Sequence, residues 1–109
     1  MKTEIDDSAD IFTLINSFRK SPENQGKVVE SLRRFTEDFA RSRSGFVAAA
    51  VHASTDGSRV VNYVQWRSAD DLRSMLAMPE AQSHIAEVGS LAKAVDPVSY
   101  KVAFVGRSR

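Results

Sequence analysis

The side chains best suited to chemistry lie in one short stretch, residues 60–66, which alternates between apolar and polar positions. A period of two is typical of a β-strand, and it places Asn62 and Trp66 on one face among valines. A buried amide needs hydrogen-bond partners, and a buried indole offers one N–H donor. The two residues could therefore be satisfied within a core, or they could donate to a substrate. In the second case we expect both donors to reach one oxygen-bearing region of the substrate.

Histidine is the side chain that changes protonation near neutral pH, and the chain has two. His84 lies on the flank of a predicted helix, where a structural role is common, so a catalytic and a structural interpretation both stay open. His52 lies in a predicted hairpin beside its turn and is the weaker candidate for chemistry.

Two periodicities along the chain predict the elements that position these residues. Period-two alternation predicts strands over residues 11–18, 46–53, 59–66 and 98–105. Helical spacing predicts an amphipathic helix over residues 28–39, after a stop at Ser21-Pro22 and Gly26. A capping box of Ser68 and Asp71 opens a short helix, and Pro79 fits the first turn of another.

The order of these elements is βαββαβ, which is typical of an α+β, ferredoxin-like fold: a four-stranded antiparallel sheet with helices on one face. Its other face carries apolar residues as well, among them Val61, Tyr63 and Phe104. Because an apolar sheet face is unfavourable in water, we expect two sheets to pack together in a twofold homodimer.

The composition excludes several classes of function. A length of 109 residues predicts one domain, 1–109, with residues 1–9 and 106–109 as flexible tails. The net charge of +1, with basic residues diluted by acidic ones, argues against a nucleic-acid partner. The absence of cysteine removes thiolate chemistry and sulfur-based metal sites, and it favours the reducing cytoplasm. No apolar run is long enough to span a bilayer and no secretory signal is evident, so no membrane partner is expected.

Three stretches together resemble the central motif of the antibiotic biosynthesis monooxygenase family. They are Gly45-Phe46, Val-His-Ala-Ser-Thr-Asp-Gly at 51–57, and Val-Val-Asn-Tyr-Val-Gln-Trp-Arg-Ser at 60–68. The chain is most similar to the small quinone-forming members that act on aromatic polyketides. The resemblance implies a dimeric α+β barrel that oxidises a phenolic substrate with O₂, with Asn62 and Trp66 as catalytic residues. It also implies no metal or organic cofactor, and the chain lacks a GxGxxG motif and a histidine-rich ligand set.

The chain departs from that pattern at two of its polar positions. Leu72 stands where the polyketide-oxidising members have a tyrosine, and His84 and Ala86 stand around the place of their arginine. The substrate-binding residues expected from the resemblance are Leu72, Met75, His84 and Asn16. The departures leave two interpretations open: a different substrate with His84 as the proton-handling group, or a scaffold that binds a small aromatic molecule without oxidising it.

A haem-degrading activity is a further alternative. Asn16 resembles an asparagine of the haem-degrading relatives. Those relatives also need a tryptophan where Met75 stands and a histidine where Ile85 stands, so this alternative ranks behind oxidation of a phenol.

Overall fold

An antiparallel sheet with three helices packed on one face forms the frame of the molecule. The structure, a computed structural model, describes residues 3–6, 10–19, 22–94 and 97–109. Its elements are β1 (Phe12–Arg19), α1 (Pro22–Asp38), a 3₁₀ turn (Ala40–Ser42), β2 (Phe46–Ala53), β3 (Arg59–Trp66), α2 (Ala69–Leu76), α3 (Pro79–Leu91), β4 (Lys93–Ala94) and β5 (Val98–Tyr100). The predicted α+β, ferredoxin-like order is confirmed, and a short strand that the sequence did not predict, β4, precedes β5.

The two central strands, β1 and β3, set the register of the sheet. They pair antiparallel, with Asn16 opposite Asn62 and Phe12 opposite Trp66. The strand order is β2-β3-β1-β4, and β5 also pairs with β1. On β3 the even-numbered residues 60, 62, 64 and 66 are all buried, because they face the helices. The predicted side-chain alternation of this strand is therefore confirmed.

Two element boundaries differ from the sequence prediction. The first helix begins at Pro22, six residues before residue 28, since proline suits the first turn of a helix and Gly26 lies exposed. Gln25 then anchors this early turn by donating to the backbone oxygens of Ser54 and Arg59, each at 3.0 Å.

The last strand is shorter than the predicted residues 98–105. Tyr100 lies opposite Thr13, and β1 begins one residue before Thr13. Just beyond Tyr100, β1 therefore has no further residues for antiparallel pairing, and residues 101–109 take no regular secondary structure.

The core consists of two clusters of buried side chains. One contains Phe18, Val28, Leu32, Val60, Val88 and Ala92. The other contains Val64, Trp66, Leu72, Met75 and Ala81. Residues of both clusters line a common cavity, so the cavity lies between the two parts of the core.

No helix within the described ranges is long and apolar enough to cross a membrane. The expected cytoplasmic location stays a prediction, as does the assignment of residues 1–109 to one domain with flexible tails. Part of the predicted N-terminal tail, residues 1, 2 and 7–9, lies outside the described residues. Glu4 is described, and its carbonyl oxygen accepts a hydrogen bond of 2.6 Å from the Gln65 amide.

Candidate active site

A cavity of about 480 Å³ lies between the sheet and the three helices. This volume is within the range of small-molecule sites. The sheet contributes polar side chains to its wall, and the helices contribute mainly apolar ones. The lining residues are Leu14, Asn16, Phe18, Leu32, Phe35, Thr36, Ala40, Phe46, Ala49, Asn62, Val64, Trp66, Leu72, Met75, Leu76, His84, Ile85, Val88, Gly89, Pro97 and Ser99.

Asn62 is the most unusual polar residue of the sheet wall. Its side chain is 8% exposed, and its oxygen Oδ1 is buried without a hydrogen-bond partner. An unpartnered buried oxygen costs about 1–3 kcal/mol of folding free energy. Because Oδ1 is closed off, Nδ2 is the polar atom that Asn62 can present to the cavity. Asn16 lies directly opposite on β1, so two amides stand side by side on this wall.

Trp66 ends β3 and is 1% exposed. Its ring meets Phe46 edge to face, with ring centroids 5.5 Å apart. Phe46 reaches this place through a β-bulge, because β2 pairs Phe46 with Trp66 but Ala48 with the next residue, Gln65. If β2 kept all its residues but had no bulge, Val47 would lie opposite Trp66 and Phe46 would point to the other side of the sheet.

The two proposed donors, Asn62 and Trp66, lie four residues apart on one strand. At about 3.3 Å per residue, their Cα atoms are about 13 Å apart, with Val64 between them. The expectation that both donors reach one oxygen-bearing region therefore does not hold. They face the same cavity, but they can donate hydrogen bonds only to different parts of an extended ligand.

Helix α2 supplies the apolar end of the cavity. Leu72 and Met75 are each 6% exposed, and both pack with Trp66 in one cluster. The predicted cap of this helix is present, since the Ser68 hydroxyl accepts a hydrogen bond of 3.1 Å from the Asp71 backbone N–H. Leu72 offers no hydrogen bond where the resemblance implies a tyrosine hydroxyl.

Among the described residues that line the cavity, His84 is the single titratable one. Its imidazole lies flat on Phe35, with an interplanar angle of 1° and ring centroids 4.1 Å apart. Burial is the main cause that lowers the pKa of His84 below its ordinary value, Arg34 lowers it further, and Glu87 opposes both. The imidazole is therefore neutral at neutral pH, which is the form that can accept a proton.

All six predicted site residues, Asn16, Asn62, Trp66, Leu72, Met75 and His84, line this one cavity. Their chemical roles stay predictions. His52 does not join them: it is exposed, and its Nδ1 lies 3.2 Å from the Ala50 carbonyl oxygen on β2.

Sequence reasoning missed Phe35, which supports His84, and Phe46, which covers Trp66. Both residues were visible as apolar positions, but their contacts join segments far apart in the chain. Their partners could not be read from local periodicity.

The arrangement favours chemistry on an aromatic ring system. The apolar helix wall can bury the rings, the sheet wall can bind ring oxygens, and His84 can take up a proton. In the described ranges, no group of three or more histidine, aspartate or glutamate side chains stands close enough to hold a metal ion.

This fold and cavity have known counterparts, and the chain belongs to the antibiotic biosynthesis monooxygenase family. The model of that family matches residues 11–87. Tetracenomycin-F1 monooxygenase of Streptomyces glaucescens is 49% identical to the chain over 80 residues, which are 73% of this chain and 71% of that protein.

Solved structures agree with this assignment. The ActVA-Orf6 monooxygenase of Streptomyces coelicolor, in complex with nanaomycin D, is 29% identical and has a TM-score of 0.71 over 94% of this chain and 96% of its own. SnoaB of Streptomyces nogalater, described as a cofactor-independent oxygenase, shares the fold with 23% identity and a TM-score of 0.65 over 93% and 97% of the two chains. The predicted family and the predicted monooxygenase class are thus confirmed.

Proposed function

We propose that the protein oxidises an electron-rich phenolic ring of a polycyclic aromatic substrate, using O₂ as co-substrate and no metal or organic cofactor. The observation that carries this proposal is the apolar cavity with two amides and an indole on its sheet wall and a neutral histidine among its helices. The relatives support the substrate class, since one acts on tetracenomycin F1 and another binds nanaomycin D.

The electrons for O₂ come from the substrate itself. His84 takes a proton from the ring system, and the resulting anion passes one electron to O₂. The two radicals combine at a ring carbon to give an organic peroxide anion, which recovers the proton from His84 and becomes a hydroperoxide. Loss of water then leaves a carbonyl. For a ring CH₂ group the balance is CH₂ + O₂ giving C=O + H₂O, so no external reductant is needed.

Asn62 and Trp66 are the residues we expect to stabilise the negative charge. Fixed donors in a water-poor site stabilise developing charge more than water does, because they need no reorganisation. Since the two residues lie about 13 Å apart along β3, a substrate of several fused rings can meet both with separate oxygen atoms. Asn62 is the donor beside Asn16, and Trp66 is the donor at the α2 end.

The other predicted site residues bind the rings. Leu72 and Met75 form an apolar surface beside Trp66, and Asn16 adds a second amide opposite Asn62. A leucine in place of a tyrosine suits a substrate that carries no oxygen at that position, because an unpaired polar group there would lose affinity.

Oxygen uptake tests the proposed reaction. We expect the purified, colourless protein to consume one O₂ for each molecule of an anthrone-like phenol and to release a quinone. A chelator should not change the rate. Activity that a chelator abolishes and iron restores would contradict the cofactor-independent reaction. Binding of every tested phenol without oxygen uptake would identify a binding module instead.

Two substitutions test the donor roles. Asn62→Ala is expected to lower kcat by about 10- to 1,000-fold with little change in KM, because the donor acts on charge that develops during the reaction. Trp66→Phe keeps most of the packing and removes the N–H, so it should also lower kcat. Val64→Ala is the matched packing control on the same face and should change kcat far less. A lower melting temperature with kcat within about twofold would assign both residues to the core alone.

We also propose that the protein is a homodimer joined through the sheet face opposite the cavity, here called the outer face. Ile15, Val61, Tyr63, Val98 and Tyr100 lie on it, because their positions alternate with the cavity-facing ones. Val98 is 42% and Tyr100 is 49% exposed in the single chain. An exposed apolar sheet face of this kind favours a self-complementary contact with a second copy.

Sedimentation equilibrium tests the dimer. The expected mass is twice 12.0 kDa at micromolar concentration. Tyr100→Glu should produce the monomer while the secondary structure is retained. A folded monomer of the unchanged protein would contradict the proposed dimer.

A further inference from the structure

A polar contact joins α1 to α3 beside the cavity, and the proposed reaction does not yet use it. The Ser31 hydroxyl, in a residue that is 1% exposed, donates a hydrogen bond of 2.5 Å to Glu87 Oε2. Arg34 donates a longer bond of 3.3 Å to Glu87 Oε1. Both carboxylate oxygens of Glu87 are thus held from α1, although 45% of the side chain stays exposed.

His84 precedes Glu87 by three residues on α3, a spacing that places both side chains on the same side of the helix. The flat stacking on Phe35 fixes the plane of the imidazole. His84 lines the cavity, whereas Glu87 is not among its lining residues and reaches solvent, so the fixed carboxylate lies outside the cavity on the same side of the helix as the histidine.

Two charged residues, one on α1 and one on α3, act on the pKa of His84. Arg34 lowers its pKa and Glu87 raises it, while Glu80, one turn earlier on α3, is exposed and does not contribute to the shift. The pKa of Glu87 is itself lowered, first by the Ser31 hydrogen bond and also by Arg34, so its carboxylate stays ionised. The described lining residues on the sheet and on α2 carry no titratable group.

We propose that Glu87, held in place by Ser31 and Arg34, is a positioning residue that supplies the counter-charge when His84 accepts the ring proton. This inference rests on the proposed function. In the step concerned, the O–H or C–H bond of the substrate breaks and an N–H bond forms on His84. The imidazolium then lies beside a carboxylate instead of standing alone against an apolar wall. The proton returns when the hydroperoxide forms, so the pair ends each turnover unchanged.

Glu87→Gln removes the charge and keeps the size of the side chain. We expect kcat to fall about 10-fold with KM nearly unchanged, and the acid limb of the kcat profile to move to lower pH. Ser31→Ala leaves the charge but frees the carboxylate, so it should reproduce part of this loss. Glu87→Asp should restore part of the rate. Glu80→Gln is the matched control, because it removes an exposed charge on the same helix.

An NMR titration of the His84 ring provides a readout that does not depend on turnover. We expect the pKa of His84 to fall in Glu87→Gln and to stay the same in Glu80→Gln. An unchanged His84 titration in Glu87→Gln would overturn the inference, whether or not a phenol is oxidised. If His84→Gln slows oxygen uptake but Glu87→Gln does not, the inference fails and the proposed function stands. If the unchanged protein oxidises no phenol, the proposed function fails, and the titration still decides whether Glu87 supports the charge on His84.

Discussion

Gly45 is the position where we expect the addition of a single methyl group to lower the free energy of unfolding most clearly. It precedes β2 with φ of 83°, in the left-handed region that residues with a side chain avoid. A Cβ atom built there would collide with the Asp71 side chain on α2. We therefore expect Gly45→Ala to destabilise the protein by straining the backbone and by displacing Asp71.

The magnitude follows from three contributions. A left-handed conformation costs an alanine about 1–2 kcal/mol. Displacing Asp71 breaks the bond of 3.1 Å that Ser68 donates to its carboxylate, which contributes about 1 kcal/mol. The cap bond between the Asp71 N–H and Ser68 is at risk as well, for up to about 1 kcal/mol. The free energy of unfolding should fall by about 2–4 kcal/mol, which corresponds to a melting temperature lower by about 10–15 °C.

Urea unfolding followed by circular dichroism measures this loss directly. Gly26→Ala is the matched control, because Gly26 lies within α1 and a Cβ there meets nothing within 4 Å. It should raise the free energy of unfolding by about 0.5–1 kcal/mol, since alanine favours a helix more than glycine does. A loss below about 1 kcal/mol in Gly45→Ala would refute the close approach of Gly45 to α2.

Three further predictions concern pH and packing. The folded state lowers the pKa of His84 below its ordinary 6.5, so the unfolded chain takes up the proton first and the stability falls as pH drops through that value. Between about pH 7.5 and 5.5, His84→Gln should therefore lose less free energy of unfolding than the unchanged protein. Equal losses in the two proteins would contradict this. Hydrogen bonds from Ser58 and Ser54 lower the pKa of Asp56 to about 2, so the stabilisation by its carboxylate is present above pH 3.8 and disappears towards pH 2. Asp56→Asn should lower the melting temperature at pH 7 but hardly at pH 2. An equal effect at both pH values would contradict these hydrogen bonds in the turn. Leu72→Ala should lower the free energy of unfolding, measured in urea, by about 2–3 kcal/mol; this is the low end for a buried leucine because the residue already borders a cavity. An unchanged free energy of unfolding would show that Leu72 is not packed.

The sheet wall of the site could be predicted from the sequence because it depends on local alternation. Asn62, Val64 and Trp66 share a face whenever residues 59–66 form a strand, and they do. The packing of α1 and α3 against the sheet likewise follows from apolar residues at helical spacing.

The helix side of the site could not be predicted in the same way, because it depends on contacts between distant segments. The contact of Phe35 with His84 spans 49 residues of chain, and that of Ser31 with Glu87 spans 56. Both require the relative positions of α1 and α3, which periodicity alone does not fix. The end of β5 was missed for a similar reason, since it depends on where β1 begins.

The β-bulge near Val47 makes the cavity wall of β2 tolerant of a change in chain length at this one point. Before the bulge an even-numbered residue, Phe46, faces inward, whereas after it an odd-numbered residue, Ala49, does. In a regular strand the loss of one residue exchanges the inner and outer faces of everything beyond it. Deleting Val47 would instead restore regular pairing and leave both Phe46 and Ala49 facing inward. The bulge thus accommodates the one residue by which β2 exceeds a regular pairing with β3, and Phe46 covers Trp66 with or without Val47.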